Sequence, residues 1–327
     1  MRKTSKTTII SIVFQQIYQI IRTARPRQWL KNLSVFAAPV LAGRLFIGDT
    51  FNLSFKAFIA FCAMSSGAYF LNDIVDAPRD RLHPIKKNRP IASGKLSVPL
   101  AALVSLMLIS GSIIYSFSHL DDYFSMILVF YILLQLGYSF YFRNVIILDS
   151  LIVASGFVIR VFAGGFASRT SVSSWLALTT IGISMLMAFG KRRSEKTILA
   201  KILGTMEDVE TRKTLRHYPD ALLDSMISMS ASYTILTYSL FTFMSSPVGV
   251  GSKISTFLPS VLKNPKLMML TIPIVIYGVA RYLYVIYEKE EGESPERALL
   301  SDKPLLTTVV LWGMITMMII FFLPELG

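Results

Sequence analysis

The stretch from Leu53 to Asp80 reads LSFKAFIAFCAMSSGAYFLNDIVDAPRD, an apolar run that ends in an asparagine and three aspartates. Its first part, 53–72, is long enough to cross a bilayer as a helix, which takes about 20 mostly apolar residues. Its last part puts Asn72, Asp73, Asp76 and Asp80 where such a helix reaches water. The aspartates follow one another at steps of three and four residues, so a continuing helix shows all three on one face. Clustered carboxylate and amide oxygens suit Mg²⁺, which is often held by one or two carboxylates while substrate phosphates complete its shell. Lys86, Lys87 and Arg89 come next, as a phosphorylated substrate would require. A solvated loop capping the helix explains the acids, but not their register beside a basic run.

The rest of the chain has the same character. Of its 327 residues 53% are hydrophobic, and the mean hydropathy is +0.55, well above that of soluble chains. Apolar runs at 33–48, 53–72, 97–117, 122–142, 146–166, 173–190, 223–245, 267–287 and 304–322 are predicted transmembrane helices. Backbone groups in lipid must be satisfied within helices or closed barrels, and these runs lack the alternation of barrel strands. The expected fold is therefore all-α, a polytopic membrane bundle of about nine transmembrane helices. It forms one unit over 33–327, behind a cytoplasmic segment at 1–32.

Charge orients the bundle. The chain carries a formal +13, from 33 Lys and Arg against 20 Asp and Glu. Nine spans divide the loops between two sides; 25 basic residues fall on one side and 5 on the other, Arg44, Arg169, Lys253, Lys263 and Lys266. The positive-inside rule makes the rich side cytoplasmic, with the N-terminus inside and the C-terminus outside. This implies a multi-pass protein of a plasma membrane of the bacterial inner-membrane type. Charge sorted by side argues against nucleic acid as a partner.

Residues 1–22 are basic and then apolar, like a signal peptide, but Gln15, Gln16 and Gln19 interrupt the apolar core and no small-residue cleavage site follows. An amphipathic helix on the inner membrane surface, ending near Arg22, fits better. Cys62 is the only cysteine, so no disulfide forms within the chain and no cysteine-rich metal site exists. Neither GxxxxGK[ST] nor HExxH occurs.

Three further constellations belong to the cytoplasmic side. Arg25-Pro26-Arg27-Gln28-Trp29-Leu30-Lys31-Asn32 is either an interfacial anchor or part of a substrate site. Tyr138, Arg143 and Asp149 join the fourth and fifth spans, and Arg160 follows on the face of Asp149. Those two are about 16 Å apart in rise, too far to pair. A charge within a span costs about 2.5–3.5 kcal/mol, so Arg160 should turn inward to an anion or to carbonyls. Arg281, nearer a helix end, can snorkel. Gly190-Lys191-Arg192-Arg193-Ser194-Glu195 closes the sixth span, where cations either complement the helix dipole or bind an anion. Gly156, Ala163, Gly164 and Gly165 allow the fifth span to pack closely.

Several of these pieces together resemble the UbiA-type membrane prenyltransferase superfamily, and within it the decaprenyl-phosphate phosphoribosyltransferases. They are Arg25 to Asn32, Asn72 to Asp80, Asn88-Arg89-Pro90-Ile91-Ala92-Ser93-Gly94, Tyr138-Ser139, Ala154 to Phe157 with Arg160 and Gly164-Gly165, Gly190-Lys191-Arg192, and Glu293 to Pro304. The resemblance runs from about residue 22 to the C-terminus. Ordinary members carry a second aspartate-rich motif after the sixth span, where another Mg²⁺ helps bind an allylic diphosphate; this chain has Lys191, Arg192 and Arg193 there. Pro78, which lacks an N–H and breaks helix interiors, is a further departure, and sets Asp80 off the face of Asp73 and Asp76.

The resemblance implies transfer of 5-phosphoribose from phosphoribosyl diphosphate to a polyprenyl phosphate, with release of diphosphate. Mg²⁺, or Mn²⁺ in its place, would be held by Asp73 and Asp76 with Asn72 and Asp80 in support, and these aspartates would serve catalysis. Lys31, Asn72, Arg89, Tyr138, Arg143, Asp149, Arg160, Lys191 and Arg192 would line the substrate site. The product would feed cell-envelope pentose donors. Two rivals remain: an aromatic prenyltransferase of the same fold, which needs the missing second acidic motif, and a lipid transporter, which needs charges near the midplane.

Overall fold

A computed structural model describes residues 2–82, 86–203, 218–244, 266–289 and 295–322. Lys253, Lys263, Glu293 and Ser294, named above, lie outside them. Among the described residues there are helices and no strands. The helices are α1 (Arg2–Ala24), α2 (Ala37–Leu41), α3 (Thr50–Leu82), α4 (Val98–His119), α5 (Asp122–Phe140) and α6 (Leu148–Ala167). There follow α7 (Ser174–Leu203), α8 (Asp220–Met244), α9 (Ile272–Tyr284), α10 (Pro295–Ser301) and α11 (Lys303–Met317). A 3₁₀ segment, Pro26–Phe36, links α1 to α2.

Seven described helical segments are long and apolar enough to cross a membrane. They lie on the expected runs apart from 33–48 and 223–245, so the count of nine is not reproduced. The first exception is no single helix: the 3₁₀ segment gives way to five-residue α2, and turns follow. Gly43 and Gly48, at φ 68° and 56°, end the helical path by taking left-handed backbone. The second exception, α8, is helical over 25 residues but is too polar for that class. Its Ser230, Thr234, Thr237 and Ser239 return their hydroxyl protons to carbonyls one turn back, which makes a polar helix tolerable in an apolar setting.

Helix α4 turns its polar side chains inward and its large apolar ones outward. Ser105, Ser112 and Ser116 of α4 are buried, while Leu106, Met107, Ile114 and Phe117 are exposed. Ser105 and Ser112 donate to the Gly67 and Ala60 carbonyls of α3. Only 17% of the most apolar window of α4 is buried against 56% for α3, so α4 faces lipid and α3 is central. The expected close packing of α6 is present at Gly164, where a Cβ would collide with the Val35 backbone. One core cluster gathers Phe61, Met64, Phe124, Leu128 and Tyr131, from α3 and α5. A second gathers Leu186, Phe189, Leu223, Ile227 and Val279, from α7, α8 and α9.

Two helices run past their apolar stretches, which hydropathy does not reveal. Helix α3 continues through Pro78 to Leu82, so the proline does not break it. Its 33 residues rise about 50 Å, against roughly 30 Å of hydrocarbon, and the acidic motif stands on the excess. Helix α7 continues from Gly190 to Leu203. Lys191, Arg192 and Arg193 are therefore mid-helix and do not cap a C-terminal dipole.

Candidate active site

The carboxylates of α3 are each met by an arginine from another segment. Asp73, 3% exposed, accepts from Arg25 at 2.5 Å and from Arg89 at 3.2 Å. Nη1 of Arg89 also bonds Asp80 at 2.6 Å. Seven residues turn a helix through nearly two full turns, so Asp73 and Asp80 point almost the same way while Asp76 is about 60° off. Asp76 accordingly takes a different partner, Arg143 at 2.5 Å, from the short 3₁₀ turn Phe142–Asn144 between α5 and α6. Asn72 accepts a short hydrogen bond from Ser139 at the end of α5.

Arg25 reaches Asp73 because the chain turns sharply there. It sits between α1 and the 3₁₀ segment at φ 55° and ψ 60°, a left-handed conformation unfavourable to a residue with a Cβ. Strain of this kind persists where surrounding contacts hold it. Here the ion pair with Asp73 and the Tyr69 ring, 5.0 Å from the guanidinium, do so. Trp29 donates to Ser66 at 3.0 Å and Asn32 to Ser65 at 3.3 Å, fixing the 3₁₀ segment along α3. Trp29 is thus tied to the protein as well as partly exposed.

The basic cluster of α7 stands across the end of α5 from the acidic motif. Adjacent residues reach both: Ser139 bonds Asn72, and Tyr138 accepts from Arg192 at 2.9 Å. Arg192 is 1% exposed and also meets Asp149 at 2.7 Å and Glu195 at 2.5 Å. Lys191, one residue and about 100° round the helix, is a third exposed and 3.8 Å from Glu195. Lys31 lies near enough for the two ammonium groups to repel. Lys191 is therefore the cation of this cluster most available to a ligand, and Arg192 is already committed.

Arg160 meets carbonyl and hydroxyl groups of the protein itself. It donates to Asn32 at 2.7 Å, to the Gly156 carbonyl at 2.7 Å and to Tyr131 at 2.9 Å, so it braces the bundle away from the acidic motif. Asp149 and Arg160 do not pair, as their separation requires. Arg281 does not snorkel: its fork grips buried Asp302 at 3.0 and 2.9 Å. Sequence reasoning offered Arg25 only as part of the 25–32 stretch and assigned no site role to Ser139 or Tyr218, whose partners Asn72 and Asp149 lie 67 and 69 residues away.

The oxygens present fit a divalent cation. Among the described residues no three acidic, histidine or cysteine side chains converge on one point. Asp73 and Asp80 do converge on one cationic atom, Nη1 of Arg89. Two hard carboxylates with room for substrate oxygens is the usual protein share of a Mg²⁺ shell. The pair brought together is Asp73 with Asp80, rather than Asp73 with Asp76.

Comparison with known proteins places this arrangement. The chain is 32% identical over 308 residues to the decaprenyl-phosphate phosphoribosyltransferase of Corynebacterium glutamicum, spanning 93% of this chain and 87% of that protein. It is 36% identical over 228 residues to the protein of that name from Mycolicibacterium smegmatis, spanning 68% of this chain and 70% of the relative. A UbiA homolog from Archaeoglobus fulgidus, solved with GPP and Mg²⁺, superposes with a TM-score of 0.64 at 16% identity, over 92% of this chain and 99% of that one. The family model described as UbiA prenyltransferase family matches residues 33–302. With its multi-pass helical bundle and the aspartates at the end of α3, the chain belongs to the UbiA prenyltransferase family.

Proposed function

We propose that the protein transfers 5-phosphoribose from phosphoribosyl diphosphate to a polyprenyl phosphate such as decaprenyl phosphate, releasing diphosphate, with Mg²⁺ as cofactor and Mn²⁺ as a substitute. The observation that carries this reading is the pairing of one acidic motif with a cationic wall, Lys31 and Lys191, across the end of α5. A prenyl diphosphate enzyme of this family would place further carboxylates on α7. Glu195, the acid there, is bonded to Arg192. The names of the two bacterial relatives speak of a phosphoribosyl group and decaprenyl phosphate, which agrees with this transfer.

In the reaction the bond from ribose C1 to the diphosphate oxygen breaks, and one from C1 to a lipid phosphate oxygen forms. The leaving diphosphate keeps the electron pair. The attacking phosphate is already ionised, so no general base is needed. Asp73 and Asp80, with Asn72 beside them, would hold the metal, which would supply positive charge against the leaving diphosphate. Arg25, Arg89 and Arg143, which pair with these carboxylates, would bind the substrate's phosphates. Lys191 and Lys31 orient the second anion. The prenyl chain lies along the apolar bundle wall.

Binding should show as stabilisation. Phosphoribosyl diphosphate with Mg²⁺, at 100 times its Kd, should raise stability by about 2.7 kcal/mol in a thermal-unfolding assay. Geranyl diphosphate with Mg²⁺ should give much less. A larger shift with geranyl diphosphate would overturn the reading.

The site should face the cytoplasm. In a Cys62→Ala background, a cysteine at exposed Ser93 should react only with reagent on the cytoplasmic side, and one at exposed His119 only from outside. Labelling of both from one side would refute this topology.

A further inference from the structure

Tyr218 belongs to no motif visible in the sequence, yet it is 1% exposed and joins two parts of the site. It precedes α8, and its hydroxyl donates to Asp149 at 2.5 Å while accepting the backbone N–H of Ile147 at 2.6 Å. Burial first, and then the bond to Asp149, pushes this phenol up to about 12, so it remains a donor at neutral pH.

The Ile147 backbone explains why such a partner is needed. Its φ of 69° and ψ of −50° are those of a γ-turn with positive φ, a strained conformation, and worse for a β-branched residue. Ile147 also starts α6: the amides of Ser150 and Leu151 bond its carbonyl at 3.0 and 2.9 Å, and that of Asp149 bonds Val145 at 3.0 Å. Four residues earlier on the same link, Arg143 holds Asp76 at 2.5 Å. The link between α5 and α6 thus carries a site arginine at one end and a strained residue, held by Tyr218, at the other. The other oxygen of Asp149 faces Arg192 at 2.7 Å, which ties this lock to α7.

We propose that Tyr218 is a positioning residue, whose hydroxyl holds Ile147 in its strained conformation so that Arg143 is presented to the acidic motif and to the donor diphosphate. The role at the donor rests on the phosphoribosyl-transfer reading; the lock itself does not. Tyr218 touches no reacting atom. Losing its hydroxyl frees the Ile147 N–H, lets the residue relax towards negative φ, and loosens the turn that carries Arg143.

The test is Tyr218→Phe, which keeps the ring and removes the hydroxyl, followed by Ile147→Gly in the same chain. Hydrogen exchange of the Asp149, Ser150 and Leu151 amides should quicken about tenfold in Tyr218→Phe, the loss of roughly one hydrogen bond. KM for phosphoribosyl diphosphate should rise by a similar factor with kcat per folded molecule little changed. Ile147→Gly should reverse much of both effects, because glycine adopts positive φ without strain. A purely packing role would lower the folded fraction, leave KM alone and gain nothing from the glycine. Unchanged exchange in Tyr218→Phe overturns the lock, and quickened exchange with unchanged KM overturns the positioning of Arg143. If the wild-type protein forms no ribosyl lipid, the functional reading fails, while the exchange measurements still decide the lock.

Discussion

Asp73→Asn and Asp80→Asn are each expected to reduce phosphoribosyl transfer by about 100- to 1000-fold, equivalent to about 3–4 kcal/mol of transition-state stabilisation. Both side chains converge on Nη1 of Arg89, the point a divalent ion would take over. Asparagine keeps the shape of each buried side chain, so the protein should remain folded in the membrane. Asp76→Asn should lose less, because Asp76 faces Arg143 and not the Asp73–Asp80 cradle. Mn²⁺ binding followed by electron paramagnetic resonance checks the order independently of turnover. Normal Mn²⁺ affinity in Asp80→Asn, with none in Asp76→Asn, would move the metal to the other pair.

Arg192→Ala and Lys191→Ala should fail in different ways although the residues are neighbours. Arg192 and Asp149 form an ion pair at 2.7 Å in which neither partner is more than 1% exposed. Removing one partner strands a buried charge, so Arg192→Ala should cost about 3–5 kcal/mol of stability and appear as loss of folded protein. Lys191 is a third exposed and meets Glu195 at 3.8 Å, a loose contact. Lys191→Ala should fold normally and lose about 10- to 100-fold in kcat/KM, the worth of one charge-assisted contact. Thermal unfolding in lipid, read beside kinetics per folded molecule, separates the two. A stable but inactive Arg192→Ala would instead make Arg192 a ligand-binding cation.

The apolar runs announce the membrane bundle because lipid demands long apolar helices, and α4 to α6 begin and end near where hydropathy places them. Helix ends beyond the hydrocarbon carry no such signal. Hydropathy falls at Asn72 and at Lys191, yet the backbone stays helical for ten residues or more past each. Pro78 is a local breaking signal that loses to the helix around it. Gly190 resembles a helix stop but marks the close approach of Ile286.

The site was legible in its letters more than in its pairings. The acidic motif and Lys191 stand together at one end of the bundle, as their shared position at helix ends implies. Which acid faces which arginine depends on the 100° step per residue, and on chain returns from Arg25, Arg89 and Arg143 that composition cannot order. Lys191 and Arg192 look interchangeable in sequence; one step along the helix puts the first at an open face and the second against Asp149. Tyr218 gives no signal because its partners, Ile147 and Asp149, lie about 70 residues away.

The most direct measurement incubates purified protein in lipid with Mg²⁺, polyprenyl phosphate and ribose-labelled phosphoribosyl diphosphate, and counts products by mass spectrometry. A parallel reaction contains a prenyl diphosphate and an aromatic acceptor. The proposed activity requires a phosphoribosylated polyprenyl phosphate and an equal amount of diphosphate in the first reaction, none when Mg²⁺ is chelated, and no prenylated aromatic in the second. A prenylated aromatic product, with no ribosyl lipid from the first reaction, would contradict it.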